Sequence, residues 1–103
     1  MKTDSQKQFD LHVFICTNQR ENGDDCCQKG AEAIQQELKK WSKTKECSEQ
    51  LKGKRIRINK AGCLDRCKDG VACVVYPQGE WILNATPDDV DAIKANIIAI
   101  ARL

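Results

Sequence analysis

Hydrophobic and polar positions alternate between short apolar runs and longer stripes along the 103 residues, and their spacing predicts the elements. Residues 11–15 (Leu-His-Val-Phe-Ile) form a short apolar, β-branched run that predicts a buried strand ending at Cys16. The polar stretch 17–25 contains Asn22-Gly23 and predicts a loop. Asp25-Cys26-Cys27-Gln28 has the form of a capping box. Cys27, Ala31, Ile34, Leu38 and Trp41 then recur at steps of four and three, the stripe of a helix buried on one side. Residues 42–52 are polar and charged, a surface connection. Residues 54–59 alternate, with Ile56 and Ile58 on one face and Arg55, Arg57 and Asn59 on the other, which predicts a half-exposed strand near a sheet edge.

The run 71–76 is continuously apolar, as in a central strand, and Pro77-Gln78-Gly79 turns the chain into a hairpin partner at 80–83. The last helix is the clearest element: Thr86 caps it, Pro87 takes the first helical position, and Asp88 and Asp89 complement the dipole. Its core stripe is Val90, Ile93, Ile97 and Ile100, with Ile98 and Leu103 left over as apolar surface for a partner. The order β-α-β-β-β-α, with the hairpin at 71–83, predicts an α/β fold: a small mixed sheet flanked by two main helices. Length fits one domain, residues 1–103, behind a polar tail at 1–10.

With 41% hydrophobic residues the chain buries a real core without disulfide staples. Residues 1–10 lack the apolar stretch of a signal peptide, and seven cysteines is an odd number; together these predict a reducing cytoplasm and thiols available for metal. The net charge of +2 is too small for a nucleic-acid binder, and the aromatic residues do not interleave with the basic ones as a stacking platform requires.

Candidate chemistry lies in the cysteines. Cys63 and Cys67, separated by three residues in Gly62-Cys63-Leu64-Asp65-Arg66-Cys67, fit one loop wrapped around an iron, with Gly62 and Gly70 allowing close backbone approach. Cys26 opens the first predicted helix, where the dipole favours thiolate, and Cys16 ends the first strand. A 2Fe–2S cluster takes two thiolates per iron, so Cys16, Cys26, Cys63 and Cys67 make a ligand set from two half-sites. Helical phase puts Cys27 on the apolar stripe and favours Cys26 as the ligand, with Cys27 as its stand-in. Cys73 reads as a buried small hydrophobe, Cys47 as a free surface thiol, and His12 as a hydrogen-bonded strand residue.

Three other readings stand beside the cluster. Zinc accepts four thiolates, but the nine residues between Cys16 and Cys26 fit its usual pair spacing poorly. Thiol–disulfide chemistry would need Cys63 with Cys67, whose spacing is wrong, or a strained vicinal pair at Cys26 and Cys27. An iron–sulfur sensing module shares every feature of a carrier.

His12-Val13-Phe14-Ile15-Cys16, Asp25-Cys26-Cys27-Gln28-Lys29-Gly30, the Cys63–Cys67 loop and Val74-Val75-Tyr76-Pro77-Gln78-Gly79-Glu80-Trp81 together resemble the thioredoxin-like 2Fe–2S ferredoxins of bacteria. The second cysteine pair also resembles that of the small 2Fe–2S subunit of respiratory NADH dehydrogenase. The likeness spans residues 11–100 in order. It implies a thioredoxin-like fold, a homodimer, and one near-surface 2Fe–2S cluster per subunit on Cys16, Cys26, Cys63 and Cys67. The implied role is one-electron transfer between redox proteins, with no catalysis. The chain departs from the pattern in a short loop after Cys16 and in Val71, where a proline often follows the glycine. Lys52, Lys54, Arg55, Arg57, Lys60, Arg66 and Lys68 are candidates for a basic rim that steers an acidic redox partner. An ordinary solvated strand face explains those charges equally well.

Overall fold

A computed structural model describes residues 1–3, 8–17, 30–62 and 71–103. The first strand, β1 (Leu11–Cys16), alternates: Leu11, Val13 and Ile15 are fully buried, while His12 and Phe14 are half-buried. Helix α1 (Ala31–Ser42) lays Ala31, Ile34, Leu38 and Trp41 into the core as the stripe predicts. Strand β2 (Ile56–Ala61) runs parallel to β1, and β3 (Val71–Tyr76) and β4 (Glu80–Ala85) form the antiparallel hairpin. The sheet order is β2-β1-β3-β4, with β1 and β3 antiparallel. This is the expected mixed sheet, with β2 at an edge and β3 in the interior, buried from Val71 to Val75.

Pro87–Asp89 makes a 3-10 turn that leads into α3 (Val90–Ala101). The Asp89 carboxylate accepts from the Thr86 backbone N–H at 2.9 Å and from its hydroxyl at 3.0 Å, which fixes the entry to the helix. Ile93, Ile97 and Ala101 are buried, while Val90, Ile98 and Ile100 are partly so and Leu103 is exposed. Helices α1 and α3 touch each other and share one core with Leu11, Val13 and Ile15. Burying Ile34, Leu38, Ile93 and Ile97 contributes roughly 1.5–3 kcal/mol each. On the opposite face of β1, His12 meets Phe9 edge-on at 5.5 Å and stacks with Phe14 at 6.0 Å, and Phe14 meets Tyr76 edge-on at 6.0 Å. His12 is therefore packed among aromatic rings. Among the described residues no helix is long and apolar enough to cross a membrane.

Two expectations are corrected. Residues 42–52 are not a plain surface connection: they include a short helix, α2 (Lys45–Gln50). The Thr44 hydroxyl caps it by accepting from the Cys47 N–H at 3.1 Å, and Trp41 Nε1 donates to Gln50 Oε1 at 3.2 Å, tying it to α1. Cys47 and Leu51, four apart, both turn inward, so Cys47 is 1% exposed rather than a surface thiol. Burial pushes its thiol pKa up, Glu46 adds to the shift and Lys94 opposes it. Cys47 and Cys73 should consequently resist iodoacetamide in the native protein at neutral pH and react after denaturation. Peptide mapping by mass spectrometry checks this, and rapid native labelling of Cys47 would contradict its placement.

The second correction concerns the start of α1. Gly30 lies at φ 93°, ψ 18°, a left-handed conformation that breaks any right-handed helix, and α1 begins after it at Ala31. The helical stripe therefore cannot be carried back to Cys27, and the phase argument that preferred Cys26 over Cys27 loses its basis. Asp25, Cys26, Cys27 and Gln28 lie outside the described residues.

Candidate metal centre at one end of the sheet

Because β1 and β2 are parallel, both deliver their C-terminal residues to the same end of the sheet. Cys16 stands beside Ala61 in the register, and Thr17 ties the two strands together there. Its backbone N–H donates to the Ala61 carbonyl at 3.0 Å and its hydroxyl to the same oxygen at 3.2 Å. Strand β3 runs the other way and so begins at that end, with Cys73 opposite Ile15. Val71 in turn pairs with Ala85, the last residue of β4. Gly30 reaches the same end, since a Cβ placed on it would lie 2.5 Å from Cγ of Pro87, two residues past Ala85.

Thr17, Gly30, Gly62 and Val71 thus border the segments 18–29 and 63–70 from a single end of the sheet. In sequence, Cys63 follows Gly62 directly, Cys67 precedes Val71 by four residues and Cys26 precedes Gly30 by four. Cys16 is the one candidate ligand among the described residues; it is fully buried and carries no disulfide. Cys26, Cys63 and Cys67 lie outside them, and among the described residues no group of three His, Cys, Asp or Glu side chains is placed to hold a metal ion.

Cys73 is buried, as its apolar run predicts. Burial, reinforced by the charge on Cys16, pushes its pKa up to about 12, so it stays a neutral thiol at physiological pH. Of the basic residues on and before β2, Lys60 lies at the Cys16 end, in register with Ile15, and Arg57 lies toward the other end, in register with His12. Lys54 Nζ donates to the Ala101 carbonyl at the end of α3, Arg55 pairs with Asp10 at 4.0 Å, and Lys60 pairs with Glu32 at 3.7 Å. Arg57 lies 5.7 Å over the Phe9 ring and donates to Asn59 Oδ1 at 2.9 Å. Arg66 and Lys68 lie outside the described residues. No sequence motif announced the engagements of Lys54, Arg55 and Lys60 or the contact of Gly30 with Pro87, because each joins residues distant along the chain.

A mixed four-stranded sheet in the order β2-β1-β3-β4, with α1 and α3 packed together on its core and a parallel crossover between β1 and β2, defines a thioredoxin-like protein. The crystal structure of the wild-type thioredoxin-like 2Fe–2S ferredoxin from Aquifex aeolicus matches with a TM-score of 0.71 at 29% identity, covering 86% of this chain and 85% of that one. Two further structures of the Aquifex ferredoxin carry single cysteine-to-serine substitutions four positions apart, the separation of Cys63 and Cys67 here. A 2Fe–2S ferredoxin from Clostridium pasteurianum is 33% identical over 85 residues, covering 80% of this chain and 78% of that protein. A 2Fe–2S ferredoxin from Aquifex aeolicus (strain VF5) is 34% identical over 85 residues, covering 80% and 73%. No family model matches the chain. By these relatives the chain belongs to the thioredoxin-like 2Fe–2S ferredoxin family.

Proposed function

We propose that the protein is a one-electron carrier that holds a 2Fe–2S cluster on Cys16, Cys26, Cys63 and Cys67. The observation that carries this reading is the convergence of Thr17, Gly30, Gly62 and Val71 at one end of the sheet. Four residues of chain reach at most about 14 Å, so each bordering residue leaves its cysteine able to reach the Cys16 end of the sheet. The donor set fits the group: a buried, unbridged thiol with three further cysteines in short reach, supplying two thiolates per iron. When bound, the cluster supplies a couple that takes up and gives back one electron.

The chain's own residues give that couple a fixed, low-dielectric seat. The Thr17–Ala61 hydrogen bonds hold the strand ends together, and burial of Cys16 excludes water from its sulfur. Cys73, held neutral, adds no competing thiolate beside it. We assign the protein no catalytic activity, and its partners would be other redox proteins. We further propose a homodimer, supported by Tyr76 and Leu83, exposed apolar side chains on the sheet. A cytoplasmic location is supported by three described cysteines that remain free thiols.

Absorption spectroscopy of the purified protein tests the reading. The expected preparation is reddish-brown, contains iron and acid-labile sulfide in equal amounts, and bleaches on dithionite. A colourless protein with stoichiometric zinc would sink it.

A further inference from the structure

The far end of β2 carries a second feature, away from the Cys16 end of the sheet. Between the C-terminal part of α1 and the outer edge of β2 runs an open groove of about 370 Å³. Its floor is apolar, made by Phe9, Ile56 and Ile58, and Lys39, Lys43 and Arg57 stand on its walls. A second depression of about 260 Å³ continues it past Phe9 and Ile56 toward Lys54 and Arg55. No Asp or Glu lines either depression among the described residues. Lys39 and Lys43 are exposed and make no ion pair among the described residues. Lys40, on the same turn, is by contrast paired with Glu37 at 3.7 Å.

The groove also runs along backbone with unused pairing capacity. Strand β2 is the outermost strand and pairs only with β1, so its outer N–H and C=O groups have no ladder partner among the described residues, and Ile56, Arg57 and Ile58 of this strand line the groove. Edge strands with open backbone groups recruit extended segments, with main-chain hydrogen bonds giving affinity and alternate side chains giving selectivity. The wall cations fix the sign of those side chains, and the Phe9–Ile56 floor asks for an apolar residue between them.

We propose that this groove docks an extended acidic segment of a partner protein, added beside β2. Its carboxylates would meet Lys39, Lys43 and Arg57, and an apolar side chain would rest on Phe9 and Ile56. Ile56 and Ala61 lie at opposite ends of β2, about 17 Å apart at the rise of a strand. The site therefore serves to hold a partner, apart from the cysteine end, and it does not depend on the cluster assignment.

The test is fluorescence anisotropy with a short fluorescein-labelled peptide that alternates glutamate with valine and leucine, titrated with the full chain at low salt. Wild-type protein should bind it, and added salt should weaken binding through screening. Lys39→Gln/Lys43→Gln should bind about tenfold more weakly with an unchanged visible spectrum, and Lys94→Gln, outside the groove, should bind normally. Neutralisation is preferred to reversal because both lysines lie near the C-terminal end of α1, where positive charge is favourable. Methylating one alternate set of peptide amides should abolish binding, while methylating the other set should not. The proposal is overturned by no binding at low salt, by equal binding to the double variant, or by equal loss with both methylation patterns. Equally tight competition by an oligonucleotide of the same charge also overturns it, since that marks an unselective cationic patch. A colourless protein that still binds the peptide would refute the cluster reading and leave the groove standing.

Discussion

Cys63→Ser and Cys67→Ser are each expected to abolish or grossly alter the visible absorption of the purified protein. A serine hydroxyl is a far weaker acid than a thiol and a harder ligand, so on the proposed ligand set each substitution removes one of four soft anionic donors. Even changes in the shell outside the ligands of a metal site cost about 10–100-fold in affinity, so loss of a ligand should lower bound iron by about tenfold or more. Cys16→Ala makes the sharpest case. Its side chain is fully buried at the end of β1, and alanine keeps the strand while deleting only the sulfur. Its circular dichroism should stay native while the colour is lost.

Cys73→Ser supplies the contrast within the same sheet. It places a hydroxyl in an apolar core at a cost of about 1–3 kcal/mol, so the melting temperature should drop while the spectrum survives. Cys47→Ser should likewise leave the spectrum intact. The helix-side ligand is decided by Cys26→Ser against Cys27→Ser. If the first keeps a normal cluster and the second loses it, the assignment moves to Cys27. Iron bound normally in Cys63→Ser, Cys67→Ser and Cys16→Ala alike would end the four-cysteine model.

Where one side chain pattern decides an element, the chain was legible. Period-two alternation in 54–59 marked an edge strand, the unbroken run 71–76 marked an interior one, and Thr86-Pro87-Asp88-Asp89 marked a helix start. Each of those signals is local, and the sheet obeys it. Cys16 at the end of β1 was legible for the same reason. Helix α2 was not, because six residues with Cys47 as their one buried side chain present no period to count. The start of α1 misled because Asp25 and Gln28 have the spacing of a capping box in the sequence, and the stripe pattern happens to extend back to Cys27. What fixes the boundary is a tertiary constraint at Gly30, whose partner Pro87 is far away in sequence.

That constraint carries the second large effect. Gly30→Ala is expected to destabilise the protein by about 3 kcal/mol, from two sources of comparable size. At φ 93° an L-residue loses about 1–2 kcal/mol against its preferred conformations, a cost glycine does not bear. The new methyl group would also sit 2.5 Å from Cγ and 2.8 Å from Cδ of Pro87, well inside the roughly 3.5–4.0 Å of normal carbon contact. The proline ring cannot rotate away, so backbone must move, at about 1–3 kcal/mol. Denaturant unfolding of Gly30→Ala, Pro87→Ala and the double variant separates the two. Pro87→Ala removes the ring atoms that clash, so the double variant should recover the steric part and keep the conformational part. Strict additivity would show that Gly30 is required for its backbone angles alone. Because Gly30 and Pro87 anchor the chain end that leads back to Cys26, Gly30→Ala should also weaken cluster retention, and Pro87→Ala should restore part of it. A Gly30→Ala protein with wild-type stability would remove this contact from the account of how the four chain ends are held together.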